Sequence, residues 1–348
     1  MISASLLFAY PRSRAAVSTV LALAMLSPLS LWAQKAHPQE KQTTLAEIQH
    51  QTDQRRTDQN KADSRPKSTY TLTTNVNEVD LVFTVTDSHG NFVKNLKESD
   101  FALLDNQRAP AAVYSFTQET QLPLRLGILI DTSSSIRNRF QFEQQAVTSF
   151  LLQIMRPSTD EAFVEGFAET PDVVQGWTNN IGSLTTAIQQ LYPGGGTALY
   201  DAVYSACRDK LLNAASGPMY VRRAIVLVSD GDDDQSHAYL SDAIKECQRA
   251  QTAIYAISTD MDPSPDPGDN ILRKMAEETG GRAYFPRQLQ NLPASFSSLA
   301  DELRSQYALV YKPADFKANG QFRSIYLYCL DQRYKVHTMK GYFTPKAE

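Results

Sequence analysis

Residues Leu124–Ser135 have the sequence LRLGILIDTSSS, an apolar run followed by a polar cluster. An unbroken apolar run of this length is typical of a strand that is buried on both faces of a parallel sheet. Three oxygen-bearing side chains follow at alternate positions, namely Asp131, Ser133 and Ser135. In open α/β sheets, ligand sites lie beyond the carboxyl ends of the strands. The stretch therefore predicts a buried strand with a candidate ligand site at its end.

The chemistry of this cluster favours a metal ion. A carboxylate and two hydroxyls supply hard oxygen ligands, which suit Mg²⁺ and disfavour structural zinc. Asp and Ser are also favoured at helix N-termini, so a helix cap is the alternative interpretation. The D-x-S-x-S pattern alone does not separate the two.

The composition of the whole chain excludes several protein classes. A chain of 348 residues is long enough for two modest domains, or for one large domain with extensions. The formal net charge is −4 and basic residues are not concentrated on one segment, so the totals do not indicate nucleic-acid binding. Three cysteines are too few for a disulfide scaffold and too widely spaced for a zinc site.

Residues 1–33 are predicted to be an export signal peptide. A basic start precedes an apolar run from Ala15 to Leu31, and a small residue stands before Gln34. The run is also about as long as a minimal membrane span, so a retained membrane anchor is the alternative. Under either interpretation the rest of the chain is expected outside the cytoplasm, in the periplasm, at the cell surface or in the medium.

The segments on either side of the middle of the chain have strand patterns. Residues 34–69 are polar and are predicted to be a disordered linker. Residues 70–120 are predicted to form an N-terminal antiparallel β unit, and residues 308–348 a hairpin or three-stranded unit. Each has too few strands to be stable alone. We therefore expect them to pack together beside a central domain.

Residues 121–307 alternate between strand and helix patterns. The apolar run at Leu124–Ser135 is followed by similar runs at Ala224–Ser229 and Ala253–Ser258, with helical periodicity between them. Two further short strands, Glu161–Ala168 and Val173–Trp177, are close enough in sequence to form an antiparallel pair. The alternation predicts an α/β fold with a doubly wound, mostly parallel sheet.

Three polar loops are expected to meet at the carboxyl edge of this sheet. They are Asp131–Ser135, Gly195-Gly196-Thr197 and Ser229-Asp230-Gly231. In order and spacing they resemble the metal-ion-dependent adhesion site of the von Willebrand factor type A domain. That motif has D-x-S-x-S, then a Thr in a Gly-rich loop, then an Asp after a later apolar strand. The matching residues in this chain are Asp131, Ser133, Ser135, Thr197 and Asp230.

The resemblance extends over Leu124–Leu309, and the flanking β segments are similar to those of a bacterial exported subgroup. It implies a Rossmann-like fold and a bound divalent cation, Mg²⁺ with Mn²⁺ or Ca²⁺ as alternatives. The three hydroxyls would bind the ion directly, with the two carboxylates close by or bound through water. Such an ion keeps net positive charge and, in this family, accepts a carboxylate from a protein partner.

Other side chains near the predicted site have simpler interpretations. The rim that would contact a partner is predicted to be Ser134, Gly196, Asp232 and Asp233. Together with Asp234, the two rim aspartates are expected to form a solvated edge that tunes the electric field. A calcium loop is excluded there because Gln235 and Ser241 stand where Gly and Glu are required. Asp201 is expected to interact with a helix dipole and His237 to lie at the surface.

The cysteines are predicted to differ in role. Cys207 and Cys247 fall on consecutive helices that should be neighbours, in an oxidising compartment, which makes them a candidate disulfide pair. Geometry decides whether they can be joined. Cys329 alternates with Ile325 and Leu327, a pattern that favours a buried free thiol.

The leading functional hypothesis is an exported, non-enzymatic adhesion module that binds an acidic group of a protein partner through the ion. No catalytic residue is predicted, because no G-x-S-x-G, H-E-x-x-H or Ser/His pairing occurs at this edge. No small-molecule substrate is evident. A metal-dependent hydrolase or phosphoryl-group enzyme is the alternative, and it would need a nucleophile or general base near the ion. A third hypothesis is a scaffold in which the metal only stabilises the fold.

Overall fold

The structure is a computed structural model that describes residues 78–119, 122–214, 221–262, 264 and 266–346. The predicted signal peptide and linker, and residues 70–77 of the predicted N-terminal β unit, lie outside the described residues. Among the helices within those ranges, none is long and apolar enough to cross a membrane.

Strands in the described residues are numbered in chain order. They are β1 Val79–Thr86, β2 Phe101–Asp105, β3 Ala112–Glu119, β4 Leu124–Asp131, β5 Glu161–Phe167, β6 Pro171–Thr178, β7 Arg222–Ser229, β8 Thr252–Ser258, β9 Ala283–Tyr284, β10 Gln306–Lys312, β11 Phe322–Cys329, β12 Lys335–Thr338 and β13 Gly341–Phe343. The α-helices are α1 Phe140–Ile154, α2 Ile181–Gln189, α3 Leu199–Ser205, α4 Leu240–Arg249, α5 Pro267–Thr279 and α6 Leu292–Arg304. A π-helical turn, Ala206–Leu211, continues α3.

Six strands form the central sheet in the order β6-β5-β4-β7-β8-β9. All neighbours are parallel except β5 and β6, which are antiparallel. The predicted mostly parallel sheet and the predicted antiparallel pair are both confirmed. The central position of β4 explains its unbroken apolar run, since both of its faces are covered.

Side chains of β4 alternate between two hydrophobic cores, one on each face of the sheet. Leu126, Ile128 and Ile130 pack with α1, α2 and α6. Leu129 points to the opposite face and packs with α3, α4 and α5. The sheet is therefore doubly wound, and its carboxyl edge is left open between the two helical layers.

Two small antiparallel sheets are built from both ends of the described chain. Their strand orders are β12-β1-β10-β3 and β13-β11-β2. The N-terminal strand β1 lies between β10 and β12, and β2 pairs with β11. The C-terminal segment therefore does not form the predicted hairpin or three-stranded unit by itself. The alternation of side chains along a segment identifies a strand but not the strand with which it pairs. Here the C-terminal strands pair with β1 and β2, which lie more than 200 residues earlier in the chain.

The two small sheets share one apolar core. Val79, Leu81, Phe83 and Val85 of β1 lie in it together with Ile325 and Leu327 of β11. The Phe83 ring stacks on Tyr307, with ring centroids 5.4 Å apart, and meets Phe101 edge-on at 5.2 Å. Cys329 is buried in this region as a free thiol. Strands from both ends of the chain thus supply a core that neither segment could build alone.

Asp105 at the end of β2 joins four strands through buried hydrogen bonds. Its carboxylate accepts from Tyr311 Oη at 2.7 Å, from Tyr342 Oη at 2.9 Å and from Arg323 Nε at 2.7 Å. Asp105 is 1% exposed and Arg323 is 7% exposed, so the ion pair is almost fully desolvated. Loss of one partner would leave the other groups buried without an acceptor.

Replacement of Asp105 by Ala is expected to lower the free energy of unfolding by about 3–5 kcal/mol, because the buried guanidinium loses its acceptor. Asp315, which also pairs with Arg323 but whose side chain is one-third exposed, provides the matched control. Its Ala variant should lose less than about 1 kcal/mol. Urea unfolding measures both, and equal losses would contradict the role given to Asp105.

Cys207 in the π-helical turn and Cys247 in α4 are joined by a disulfide across a sequence separation of 40 residues. Both half-cystines are fully buried in the core that covers one face of the central sheet. A cross-link over such a loop restricts the unfolded chain.

The double variant Cys207→Ala/Cys247→Ala is expected to lose about 4 kcal/mol of stability, the chain-entropy value for a loop of this length. Cys329→Ala also deletes a buried sulfur but breaks no cross-link, so it should lose clearly less. Denaturant unfolding under non-reducing conditions compares the two. A double variant as stable as the wild type would show that the cross-link adds nothing.

Candidate metal-binding site

The predicted site residues lie at the carboxyl edge of the central sheet. β4 and β7 are parallel neighbours, with Ile130 opposite Val228, so the residues that follow them are brought together. Asp131 ends β4, Ser229 ends β7, and Asp230 follows Ser229 directly. This placement follows from strand register alone and agrees with the general location of ligand sites in open α/β sheets.

Asp131 is fully buried and is held by two short hydrogen bonds. Its Oδ1 accepts from the backbone N–H of Ser133 at 2.8 Å, and its Oδ2 accepts from Ser229 Oγ at 2.7 Å. Burial, and then the nearby Asp230 carboxylate, raise the pKa of Asp131 to about 6. A buried carboxylate beside a second one is a favourable environment for a cation, which would offset both effects.

The two serines connect the β4 loop to Asp230. Ser133 Oγ and Ser135 Oγ are 2.9 Å apart, and Ser135 Oγ donates to Asp230 Oδ2 at 2.8 Å. Four of the five residues matched to the motif thus lie in one continuous group. The 3₁₀ turn at Ser134–Ile136 places the hydroxyls of Ser133 and Ser135 next to each other.

Thr197, the fifth residue, is carried by the glycine-rich loop that precedes α3. This loop is tied to the β4 loop by backbone hydrogen bonds from Gly194 N to Thr132 O and from Ser134 N to Gly195 O. Gly195 has φ +86°, a conformation that favours glycine. Within the described part of the chain, the Thr197 hydroxyl has no hydrogen-bond partner. It is therefore available as a ligand.

The residues after Asp230 differ from the predicted solvated edge. Asp234 Oδ1 accepts from the backbone N–H of Thr197 at 2.7 Å, and Asp233 Oδ1 accepts from the backbone N–H of Tyr200 at 3.2 Å. These two carboxylates therefore hold the threonine loop and the start of α3, where four backbone N–H groups need acceptors. Asp232 is exposed, as the prediction of a solvated edge requires.

A cavity of about 400 Å³ opens beside these groups. It is lined by Ser133, Ser134, Ser135, Gly195, Gly196, Thr197, Asp232, Asp233 and Asp234. All four residues of the predicted rim are included. Among these described lining residues there is no histidine, cysteine or lysine that could act as a base or nucleophile.

Sequence reasoning missed Arg139 and Glu143, which lie beside the site. Arg139 Nη2 is 3.4 Å from Asp230 Oδ2, and Arg139 Nε is 3.2 Å from Glu143 Oε1. Glu143 is fully buried in the first turn of α1. Burial raises its pKa, whereas the ion pair with Arg139, whose charge is fixed at neutral pH, lowers it and favours the carboxylate form. The sequence signal that could have predicted this ion pair is an Arg followed four residues later by a Glu at the start of a predicted helix.

Two other predicted neighbours lie at the edge of the site and do not line the cavity. Asp201 in α3 accepts from the backbone N–H of Ala238 at 2.7 Å and from that of His237 at 3.0 Å. It therefore holds the loop before α4, a contact that the sequence did not predict. The His237 side chain is 94% exposed, in agreement with a surface position.

A second acidic group, which sequence reasoning did not identify, lies in the loop after β8 and the first turn of α5. Carboxylate oxygens of Asp260, Asp266 and Asp269 are within 4.8 Å of one another. Arg287 already pairs with two of them: its Nη1 is 3.0 Å from Asp260, and its Nη2 pairs with the buried Asp269. The group is thus neutralised in part by the protein itself.

The oxygen donors around Thr197 fit a divalent cation better than any other ligand type. Three hydroxyls and two carboxylates are grouped on adjacent loops, and one hydroxyl has no partner among the described residues. Hard, oxygen-only donor sets of this kind are typical of Mg²⁺, Mn²⁺ or Ca²⁺ sites. Ser133, Ser135, Thr197, Asp131 and Asp230 are the residues that could hold the ion.

Several solved structures resemble this chain in fold. A von Willebrand factor type A protein from Catenulispora acidiphila is 15% identical, with 70% of this chain and 72% of that chain covered and a TM-score of 0.46. Proximal thread matrix protein 1 from the mussel byssus, with a zinc-occupied MIDAS motif, is 17% identical over 58% of this chain and 50% of its own, with a TM-score of 0.46. The PilB minor pilin from Streptococcus sanguinis is 13% identical over 53% and 62%, with a TM-score of 0.42.

This chain spans about half the length of the mussel protein and less than two thirds of the pilin. A comparison with curated proteins found no match. The family model for the von Willebrand factor type A domain matches residues 126–298, which include most of β4, all of β7, all five candidate ligands and the first turns of α6. Residues 126–298 are therefore a von Willebrand factor type A domain.

Proposed function

We propose that this protein is an exported, non-enzymatic binding module that uses a divalent cation to bind a carboxylate of a protein partner. Domains of its family generally act in adhesion or protein interaction. The observation that carries the proposal is the open group of hydroxyls at the carboxyl edge of the sheet. It combines the Ser133–Ser135–Asp230 hydrogen bonds with the unpartnered Thr197 hydroxyl.

The charge of these donors favours a partner carboxylate as the next ligand. Neutral hydroxyls leave most of the charge of a divalent ion uncompensated, whereas a site made only of carboxylates would neutralise it. Mg²⁺ prefers near-octahedral oxygen ligation and keeps several exchangeable waters. A carboxylate oxygen from outside the chain can replace one of these waters through the cavity beside Thr197.

The rim gives the partner a surface beyond the ion. Ser134 and Asp232 are exposed, and Gly196 packs tightly against the loop after Asp230. A Cβ at Gly196 would lie 2.7 Å from Gln235 Cγ and 2.8 Å from Asp234 Oδ1. A larger residue there would therefore press on the side chains of Gln235 and Asp234, and Asp234 accepts the hydrogen bond from Thr197 N–H.

Export to an oxidising compartment is supported by two independent features. The first is the basic and apolar sequence pattern of residues 1–33. The second is the buried disulfide between Cys207 and Cys247, since structural disulfides persist mainly outside the reducing cytosol. Membrane contact would follow only if the apolar segment is retained.

Adding Mg²⁺ or Mn²⁺ at a hundredfold excess over the dissociation constant is expected to stabilise the full-length wild type by about 2.7 kcal/mol. For a cooperative unit the size of the 126–298 domain, that corresponds to a rise in Tm of roughly 5–10 °C. Thr197→Ala should lose the metal-induced increment, because it removes the unpartnered hydroxyl. Thermal unfolding with and without metal measures the increment separately from any change in the metal-free protein.

Thr186→Ala provides the matched control, since this exposed threonine lies in α2 and makes the same chemical change elsewhere. It should keep the full increment. An equal increment in Thr197→Ala and wild type would place the ion elsewhere, for example at the group around Asp269. No increment in wild type would remove the basis of the proposed binding function.

A further inference from the structure

Arg139 connects the candidate metal site to helix α1. Its Nη2 lies 3.4 Å from Asp230 Oδ2 and 3.3 Å from Thr259 Oγ1, and its Nε lies 3.2 Å from Glu143 Oε1. The guanidinium thus contacts the residue after β7, the residue after β8 and the first turn of α1. Its side chain is about four-fifths buried, so these charges are only partly screened by water.

Asp230 Oδ2 has two competing donors in this arrangement. One is the Ser135 hydroxyl, itself a candidate ligand, and the other is the Arg139 guanidinium. A cation that approaches the site needs electron density from the same carboxylate. Because the positive charge of Arg139 is fixed at neutral pH, it opposes the binding of any metal ion beside Asp230.

Glu143 limits this effect. Its carboxylate is fully buried, and within the described residues it has no hydrogen-bond partner, only the ion pair with Arg139. It holds the guanidinium at Nε, while Asp230 lies at Nη2, and it supplies a compensating negative charge. Glu143 therefore sets the position of the Arg139 guanidinium and partly offsets its positive charge, although Glu143 itself does not line the cavity.

We propose that Arg139, held by Glu143, is a positioning residue that lowers the affinity of the site for its metal ion and leaves the bound ion more electrophilic toward a partner's carboxylate. By engaging Asp230, it reduces the negative charge that this carboxylate gives to the ion. This inference rests on the proposed function, because it assigns a role relative to the same metal site. It predicts that metal affinity and carboxylate affinity change in opposite directions.

The test is calorimetric titration of the full-length protein with MnCl₂ and with MgCl₂. Arg139→Gln is expected to tighten metal binding about tenfold, since it removes a poorly screened positive charge next to a ligand. Arg139→Lys keeps the charge and should stay within about threefold of wild type. Glu143→Gln removes the counter-charge and should weaken metal binding severalfold.

Arg137→Gln is the matched control. Arg137 is exposed and lies two residues earlier in the same loop, so its variant has the same change in net charge. It should alter metal affinity by less than about twofold because exposed charges are screened. A tenfold effect in both arginine variants would assign the change to the overall charge of the loop and overturn the proposal.

Carboxylate binding is measured separately with acetate as the probe. Water-proton relaxation by the protein-bound Mn²⁺ falls when acetate displaces a bound water. Arg139→Gln is expected to need severalfold more acetate than wild type for the same fall. Tighter metal binding together with tighter acetate binding would overturn the proposal.

The outcomes separate this inference from the proposed function. If wild type binds no metal, both are wrong. If wild type binds metal and Arg139→Gln binds it equally or more weakly while folded, only the role of Arg139 is wrong. If Arg139→Gln does not fold, Glu143→Gln decides, since unchanged or tighter metal binding in that variant would contradict the compensation by Glu143.

Discussion

The burial of the Asp131 carboxylate between β4 and β7 is the constraint on which the candidate site depends. A buried carboxylate is tolerated only if its oxygens are hydrogen-bonded. Ser133 N and Ser229 Oγ satisfy it, and in doing so they fix the turn after β4 against the end of β7. With the turn held in this way, the Ser135 hydroxyl donates to Asp230 Oδ2 at 2.8 Å.

The order of the chain and the periodicity of its segments were sufficient to predict which loops lie together at this edge of the sheet; that they bind a metal remains a prediction. Strands and helices were recognisable because apolar side chains recur with a different period in each. Parallel strands also place their carboxyl ends on the same edge of a sheet, so the loops that follow them lie close together. Pairing between distant segments was not recognisable: β10 lies between β1 and β3, although the tail alone suggested a hairpin. The contacts of Arg139 with Asp230 were missed for the same reason, since 91 residues separate them.

The small sheets are joined to the central domain through the end of α6. Glu302 in this helix is fully buried, accepts from Thr84 Oγ1 of β1 at 3.0 Å and from Tyr284 Oη of β9 at 2.6 Å, and pairs with Arg282. Only Ser305 separates α6 from β10, an inner strand of the four-stranded sheet. A displacement of α6 along its axis would therefore break buried polar contacts and shift β10 within its sheet. The flanking strands thus restrain the helix.

The balance of charge at the site supports the proposed binding function. Of the two carboxylates of the motif, that of Asp230 is paired with Arg139, so it would neutralise less of the charge of a bound divalent ion. Catalysis of hydrolysis would also require a base or nucleophile at the ion. Three aspartates are among the described residues that line the cavity. Asp233 and Asp234 already accept hydrogen bonds from backbone N–H groups. The third, Asp232, is exposed and has no positioned partner for proton transfer among these lining residues. An ion held in this way can accept an anionic ligand, as the proposed function requires.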